Sequence, residues 1–418
     1  MLMKNIRQGL AFGDFVITEF SDPILQEHVV SVTVSDIPKD LQLMDASSLY
    51  VHMHVFQLHE DGPVLEELEE DANVSAASHW LLPNVEFHGM WESLVYDSDI
   101  KHRLLNYAET TMLFSDRGVD SNIISWNRVI LLHGPPGTGK TSLSKALAQK
   151  LCIRLSERFC YGQLVEINSH SLFSKWFSES GKLVQKMFQK IQELIDDPGT
   201  LICVLIDEVE SLTAARKSAM SGSEPSDAIR VVNSVLTQID QLKRYPNVLI
   251  LTTSNITGAI DLAFVDRDEN IMFMYNNFTV VIESILILFS LSKEKILRGA
   301  DIKQYIGPPS TPAIFRIYQS CIKELMKVGI ITPTQQILDL RALEVMRFVE
   351  NDATKLSLWL REISWKSEGF SGRSLRKIPF LAHALYAMKS TMSLDLFLGC
   401  LEKAVDNHLS EQRELGEL

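Results

Sequence analysis

The stretch Val129-Ile130-Leu131-Leu132-His133-Gly134-Pro135-Pro136-Gly137-Thr138-Gly139-Lys140-Thr141 decides the fold. A short apolar run, strand-like in composition, feeds a glycine-rich loop of the form G-x-x-x-x-G-K-T, and a helix-compatible segment, Ser142–Lys150, follows. In that context the glycines let the backbone wrap closely around a polyphosphate, with N–H groups and a helix N-terminus aimed at its charge. Lys140 is spaced to reach the β- and γ-phosphates and Thr141 to offer its hydroxyl to Mg²⁺. A loop that merely turns the chain has no need of lysine and threonine in that order. The stretch therefore predicts a nucleoside triphosphate site at Gly134, Pro135, Pro136, Gly137, Thr138, Gly139, Lys140 and Thr141.

Working outward, residues 101–267 alternate apolar strand-like runs with helix-period segments, the pattern of a parallel sheet covered by helices. Val129–Leu132, Leu164–Ile167, Leu201–Ile206 and Val248–Thr252 are the predicted strands. Between them, Leu183, Val184, Met187, Phe188, Ile191, Leu194 and Ile195 fall on one helical stripe. From Pro308 onward the periodicity is helical, over Ala313–Val328, Lys355–Ile363, Ser374–Lys389 and Ser393–Leu409. Residues 1–100 suggest short strands, with β-prone Leu49–Leu58 ahead of an acidic, turn-rich stretch. His52-x-His54 would share a strand face there, but no Cys, Asp or Glu set completes a metal site, and ordinary strand and loop histidines account for them.

The composition sets limits. The chain has 418 residues, 46% hydrophobic and 22% charged, with a formal net charge of −13. That length suits two or three domains, and the acidic balance argues against a surface that tracks nucleic acid. The five cysteines form no C-x-x-C pair or regular framework, as expected of reduced thiols in a cytosolic or nuclear protein. Neither a secretory signal nor a convincing basic localisation run is present. Phe278–Leu291 is densely apolar, but it is shorter than the ~20 residues that span a bilayer and Glu283 interrupts it. No membrane association is expected.

Downstream of the loop, the apolar run Leu201–Ile206 ends in Asp207 and Glu208. Phosphoryl transfer to water calls for one acid to hold Mg²⁺ and another to orient or deprotonate the nucleophile; Asp207 suits the first role and Glu208 the second. Asn255, closing Thr252-Thr253-Ser254-Asn255, could align the same water, although a polar strand end is by itself an ordinary turn.

Together these residues resemble the AAA+ ATPases. The stretch Glu166–Lys182, EINSHSLFSKWFSESGK, looks like that family's pore-loop strand and loop, with Trp176 and Phe177 where an aromatic–aliphatic pair grips a threaded peptide. Within AAA+, the sequence resembles the pachytene checkpoint protein 2 (thyroid-receptor-interacting) family. The stretches that carry this are FGDFVITEF, EFHGMWESLVYD, LIDEVESLTAAR, EPSDAIRVVNSVLTQID, LTTSNITGAIDLAFVDR, ADIKQYIGPPS and SGRSLRKIPFLAHALY. The resemblance runs from Phe12 to about Asn407.

It implies an α/β fold: a P-loop AAA+ core on a parallel sheet, an α-helical lid and a separate α+β N-terminal domain. The expected divisions are 1–100 for substrate and adaptor binding, 101–308 for the ATPase domain and 309–418 for the lid. The resemblance assigns Asp207 and Glu208 as the Walker B acids, Asn255 as sensor 1, Arg373 as sensor 2 on the lid, and Arg267 as a finger for the neighbouring subunit's nucleotide. It implies ATP and Mg²⁺, a homohexamer, and HORMA-domain clients presented by a HORMA-type adaptor. The implied outcome is disassembly of mitotic checkpoint complexes and regulation of meiotic chromosome axes and recombination. Nucleus and cytoplasm, with chromosomes and kinetochores as places of action, are the corresponding locations.

The resemblance is interrupted over Asp268–Gly299, which separates Arg267 from Ala300. An extra segment there, of splicing origin, motivates a second expectation: an ATP-binding but hydrolysis-defective chain acting as a scaffold or mixed-ring inhibitor. A small-metabolite P-loop kinase would use only the phosphate loop and leaves the remaining stretches unexplained.

Overall fold

The computed structural model describes residues 15–34, 52–67, 75–97, 99–120, 123–124, 126–168, 180–210, 227–255, 302–333, 335–387, 389–414 and 416. The chain forms two compact units, Met1–Val55 and Phe56–Leu418. In the first, β1 (Phe15–Ile17) and β2 (Val32–Val34) pair antiparallel, with Phe15 opposite Val34. Helix α1 (Pro23–His28) lies between them in the chain, its N-terminus capped by the Asp22 carboxylate, which accepts from Ile24 N at 2.9 Å.

The second unit is built on a seven-stranded sheet in the order β3-β4-β6-β7-β8-β5-β9. Its strands are β3 (Val64–Glu67), β4 (Ser75–Leu82), β5 (Val129–His133), β6 (Tyr161–Asn168), β7 (Thr200–Asp207), β8 (Val248–Ser254) and β9 (Ile302–Tyr305). The pairs from β6 through β9 are all parallel, and β3–β4 and β4–β6 are antiparallel. All four predicted strands are present, and the antiparallel β3–β4 pair extends the parallel sheet at one edge.

Why these runs make buried parallel strands is visible in their alternation. Ile202, Val204 and Ile206 point to one face, with Val129, Leu131, Val248 and Ile250. Leu201, Cys203 and Leu205 point to the other, with Ile130, Leu132, Leu249 and Leu251. Side chains alternate with period two, so a continuous apolar run supplies two cores at once when helices cover both faces. One face is covered by α5 (Ser180–Ile195), through Met187, Phe188, Ile191 and Ile195, and by α6 (Asp227–Leu242), through Val235, Ile239 and Leu242. The other is covered by α3 (Ile100–Asp116) and α4 (Lys140–Arg154).

That second face carries the main departure from the expected domain division. Trp80 and Leu82 of β4, Phe87, and Trp91 of the short helix α2 (Met90–Ser93) are buried in the same cluster as Leu104, Leu132 and Leu147. Residues 75–97 therefore belong to the fabric of the seven-stranded sheet, and a boundary after residue 100 would cut through its core. The reason is β4, whose pairing with β6 from Ala77–Ile167 to Leu82–Gly162 makes it a strand of the sheet itself. The described part of Leu49–Leu58 also differs from expectation, since residues 52–58 form no strand. Among the described residues no cluster of His, Cys, Asp and Glu could hold a metal ion, and no helix is long and apolar enough to cross a membrane. Phe278–Leu291 lies outside the described residues.

The C-terminal region is helical, as its periodicity predicts. Helices α7 (Thr311–Lys327), α8 (Leu340–Val345), α9 (Lys355–Lys366), α10 (Gly372–Ala382) and α11 (Leu394–Glu414) enclose their own core of Phe315, Tyr318, Leu360, Ile363, Leu375 and Phe397. Pro379 lies inside α10, which passes into a π-helical turn at His383–Ala387. Proline removes one intrahelical donor, and the widened turn follows it directly.

Candidate active site

The sheet order places β8 between β5 and β7, so the phosphate loop after β5 and the acids ending β7 flank the C-terminal end of β8. In parallel α/β sheets this edge, outside the carboxyl ends of the strands, is where ligands bind. Gly134, Gly137 and Gly139 have φ of +147°, +76° and +90°. An added Cβ at Gly134 would meet the Ile306 carbonyl oxygen at 2.1 Å, which excludes any side chain. Gly139 precedes α4 without contributing a side-chain cap, leaving the helix N-terminal N–H groups facing the loop.

Lys140 is buried, and its ammonium donates to the carbonyl oxygens of Gly134 at 2.9 Å and Pro135 at 2.7 Å. Burial pulls its pKa below the usual lysine range, while Glu210, Asp207 and Glu208 oppose the fall. Thr138 ties the loop to itself by donating to Pro135 O at 2.9 Å.

A continuous hydrogen-bonded row runs from the loop to the end of β8. The Thr141 hydroxyl donates to Asp207 Oδ1 at 2.9 Å, and the Thr253 hydroxyl donates to the same oxygen. Thr253 Oγ1 accepts from Glu208 N at 3.0 Å. Asn255 Nδ2 donates to Glu208 Oε1 at 3.1 Å, and Asn255 N donates to Glu210 Oε1 at 3.0 Å. Glu208 itself has φ +54°, the left-handed region that non-glycine residues rarely enter. That conformation lifts its exposed carboxylate off the strand end beside Asn255, the kind of local strain that active sites retain.

The lid approaches the same loop. Ser371 caps α10 by accepting from Ser374 N at 3.1 Å, and Arg373 N donates to Gly137 O at 3.1 Å. A cavity of about 210 Å³ beside Thr138 is lined by Tyr96, Asp97, Tyr305, Gly307, Pro308 and Gly372. His133, last in β5, packs its ring 5.5 Å from Tyr305. Burial and then the neighbouring Lys140 hold the imidazole below its usual pKa.

The structure thus brings together the expected loop, Asp207, Glu208, Asn255 and Arg373. Trp176, Phe177 and Arg267 lie outside the described residues. Sequence reasoning passed over Thr253, Glu210, Tyr96 and Asp97 as participants, although each sits inside a stretch already singled out.

The residues present fit a magnesium nucleotide: the loop admits no Cβ at Gly134, a buried ammonium lines it, and a hydroxyl–carboxylate pair stands at its exit. A P-loop between β5 and α4, an acidic β7 end, a polar β8 end and a helical lid define a AAA+ ATPase. Comparisons with known proteins agree. The family model for ATPases associated with various cellular activities matches residues 130–275, and the TRIP13-like AAA+ ATPase lid C-terminal domain matches residues 310–409. The chain is 60% identical over 415 residues to the pachytene checkpoint protein 2 homolog of Xenopus tropicalis, covering 98% of this chain and 89% of that protein. It is 59% identical over 413 residues to the Homo sapiens homolog, covering 98% and 88%. The solved structure of C. elegans PCH-2 superposes with a TM-score of 0.68 at 33% identity, covering 98% of this chain and 93% of that one. The chain belongs to the pachytene checkpoint protein 2 family of AAA+ ATPases.

Proposed function

We propose that the chain is an ATP-driven remodelling enzyme that works as a homohexamer and partially unfolds HORMA-domain proteins. The observation that carries the catalytic half is the bonded row Thr141–Asp207–Thr253–Glu208–Asn255 at the end of β8. In it, the loop N–H groups and Lys140 hold the phosphates, and Thr141 and Asp207 hold Mg²⁺. When bound, the metal neutralises charge gathering on the phosphate oxygens. Glu208 orients a water and takes its proton as the water oxygen attacks the γ-phosphorus. The bond to the β-phosphate oxygen breaks, and ADP and phosphate leave. Asn255 fixes the Glu208 carboxylate by donating to it, and Arg373 reaches the γ-phosphate from the lid.

The client half rests on family membership. A further fold neighbour, at 17% identity and TM-score 0.51, is a chain from the structure of an E. coli HORMA:CdnC:Trip13 complex. In this reading Arg267 reaches the neighbouring subunit's nucleotide, and Trp176 and Phe177 grip the client. Because domains are stable by only ~5–15 kcal/mol, a few ATP-driven strokes suffice for local unfolding. An adaptor presents the client, and the outcome is disassembly of mitotic checkpoint complexes and control of meiotic axis proteins and recombination, in nucleus and cytoplasm and at chromosomes.

A second reading has its own observation. The AAA model ends at residue 275 and the lid model begins at 310, so most of 268–299, together with β9, is matched by neither. An extra segment directly after Arg267 would disable hydrolysis while leaving nucleotide binding, giving a scaffold or mixed-ring inhibitor. Steady-state ATP hydrolysis by the full chain, a Glu208→Gln variant and a version lacking 268–299 separates the two. The remodelling reading expects turnover from the full chain and a loss of ~10²–10⁴-fold in Glu208→Gln. Activity confined to the shortened chain would establish the inhibitor.

A further inference from the structure

The segment Ser93–Asp97, between α2 and α3, touches both the phosphate loop and the lid. Toward the loop, the Tyr96 hydroxyl donates to Gly139 O at 3.4 Å. An added Cβ at Gly139 would stand 3.1 Å from that hydroxyl and 3.4 Å from Leu94 Cδ2, so the segment lies flat against the loop. Toward the lid, Arg376 of α10 donates from Nη2 to Ser93 O. Arg316 of α7 donates to Tyr96 O at 3.2 Å and stands 3.8 Å from the Asp97 carboxylate. Ser310, capping α7, donates its N–H to Asp97 Oδ2 at 2.9 Å and its hydroxyl to Oδ1. Val95 packs against the lid core.

We propose that Ser93–Asp97 is a strap that couples lid position to the phosphate loop, and that Arg376 is a positioning residue which sets where Arg373 points. The inference rests on the reading of Arg373 as a γ-phosphate contact. Arg376 lies three residues after Arg373, one turn along the same helix and on the same side of it. A helix is rigid on this scale, so anchoring the Arg376 guanidinium on Ser93 O fixes the rotation of α10 about its axis, and with it the direction of Arg373. The Arg373 N–H on Gly137 O sets the height of that turn above the loop.

An isolated surface contact of an arginine contributes little. This one differs because its acceptor belongs to the same five-residue segment that is bonded to Gly139 and is held a second time from α7. Burial raises the Tyr96 phenol well above its usual range, so it remains a donor toward Gly139 across the working pH. The strap therefore makes the lid sensitive to whether a γ-phosphate is present, and its loss should blunt the distinction between ATP and ADP.

The test measures binding of fluorescent methylanthraniloyl derivatives of ATP and ADP to full-length protein in a Glu208→Gln background, where hydrolysis does not intervene. Arg376→Ala should lose roughly tenfold of the preference for ATP over ADP, the size of one charge-assisted hydrogen bond, with ADP affinity nearly unchanged. Arg373→Ala should show the same loss, Arg376→Lys should recover most of it, and Asp97→Asn should show a smaller loss. Arg376 is exposed, so thermal unfolding of its variants should match the parent. The strap is wrong if Arg376→Ala keeps the preference while Arg373→Ala loses it, or if ATP and ADP affinities fall together. Retained preference in Arg373→Ala removes both the strap and the reading of Arg373 beneath it.

Discussion

At the sheet edge, Thr141, Asp207, Thr253, Glu208 and Asn255 are bonded in one row, supplied by a helix N-terminus and the ends of two hydrogen-bonded strands. On the lid, Arg373 and Arg376 are exposed, and they reach the ATPase core through one backbone N–H and one guanidinium. The first arrangement is preorganised, because its groups sit on the first turn of α4 and at the ends of β7 and β8, elements packed into the two buried faces of the sheet. The second is separable, because α10 can leave the loop while the lid core stays intact. On the function proposed above, chemistry that must be aligned at every turnover is built into the sheet, and the lid arginines that would report the state of the nucleotide stand on a separately packed body.

The largest effect expected from this contrast compares two glycines that face the same loop. Gly134→Ala would drive a Cβ to 2.1 Å from a backbone oxygen at φ +147°, and only a backbone shift could relieve it. Nucleotide binding and turnover should be abolished in an equilibrium binding assay. Gly372→Ala, on the lid, meets Gly137 O at 3.3 Å, a few tenths of an ångström too close, and alanine favours the helix it begins. Its ATP affinity should fall less than threefold. Equal losses in the two variants would show that the lid is as rigidly seated as the sheet.

Next comes Asn255→Ala. It removes a donor aimed at Glu208 while Thr253 continues to hold the backbone of that residue. A drop of about 10² in kcat with KM nearly unchanged is expected, as when one preorganised donor is lost. A rise in KM of similar size would move Asn255 from orienting the water to binding nucleotide.

These sites differ in how legible they were in sequence. The strands of the core were readable because period-two alternation and uninterrupted apolar runs coincide in them, and Asp207 and Glu208 were marked by ending such a run. The lid helices were readable from their apolar spacing, which holds at Phe315, Leu360 and Phe397. What the pattern did not carry was partnership across long separations. Thr253 looks like any strand-end polar residue until β8 is placed between β5 and β7. Trp80 and Trp91 gave no sign that β4 would close onto β6, because an antiparallel pairing across some eighty residues of chain is fixed by the partner strand and not by β4's own periodicity. Tyr96 and Asp97 gain their meaning from the phosphate loop some forty residues on and from a helix more than two hundred residues later.

A smaller effect sharpens the same comparison through stability. Ile250 of β8 and Ile363 of α9 are both fully buried, in separate clusters. Either residue changed to Val should cost roughly 0.5–1.5 kcal/mol. If lid and sheet open independently, hydrogen exchange should quicken among α9 and α11 amides in Ile363→Val and leave β8 unchanged. Equal acceleration in both regions would show one cooperative unit.

The smallest expected effect is one of pH. His133 is held below its ordinary pKa by burial and by Lys140, whereas in the unfolded chain it titrates near the ordinary imidazole value of 6.5. In the window below 6.5 the unfolded chain binds the proton more readily, so folding stability contributed here is present above that value and is lost as pH falls toward the lower folded-state pKa. The urea midpoint should therefore decline on acidification from neutrality, and His133→Gln should lessen the decline. The sheet edge should show the dependence while lid amides do not. An unchanged decline in His133→Gln would assign it to other groups and leave the His133–Tyr305 contact as packing alone.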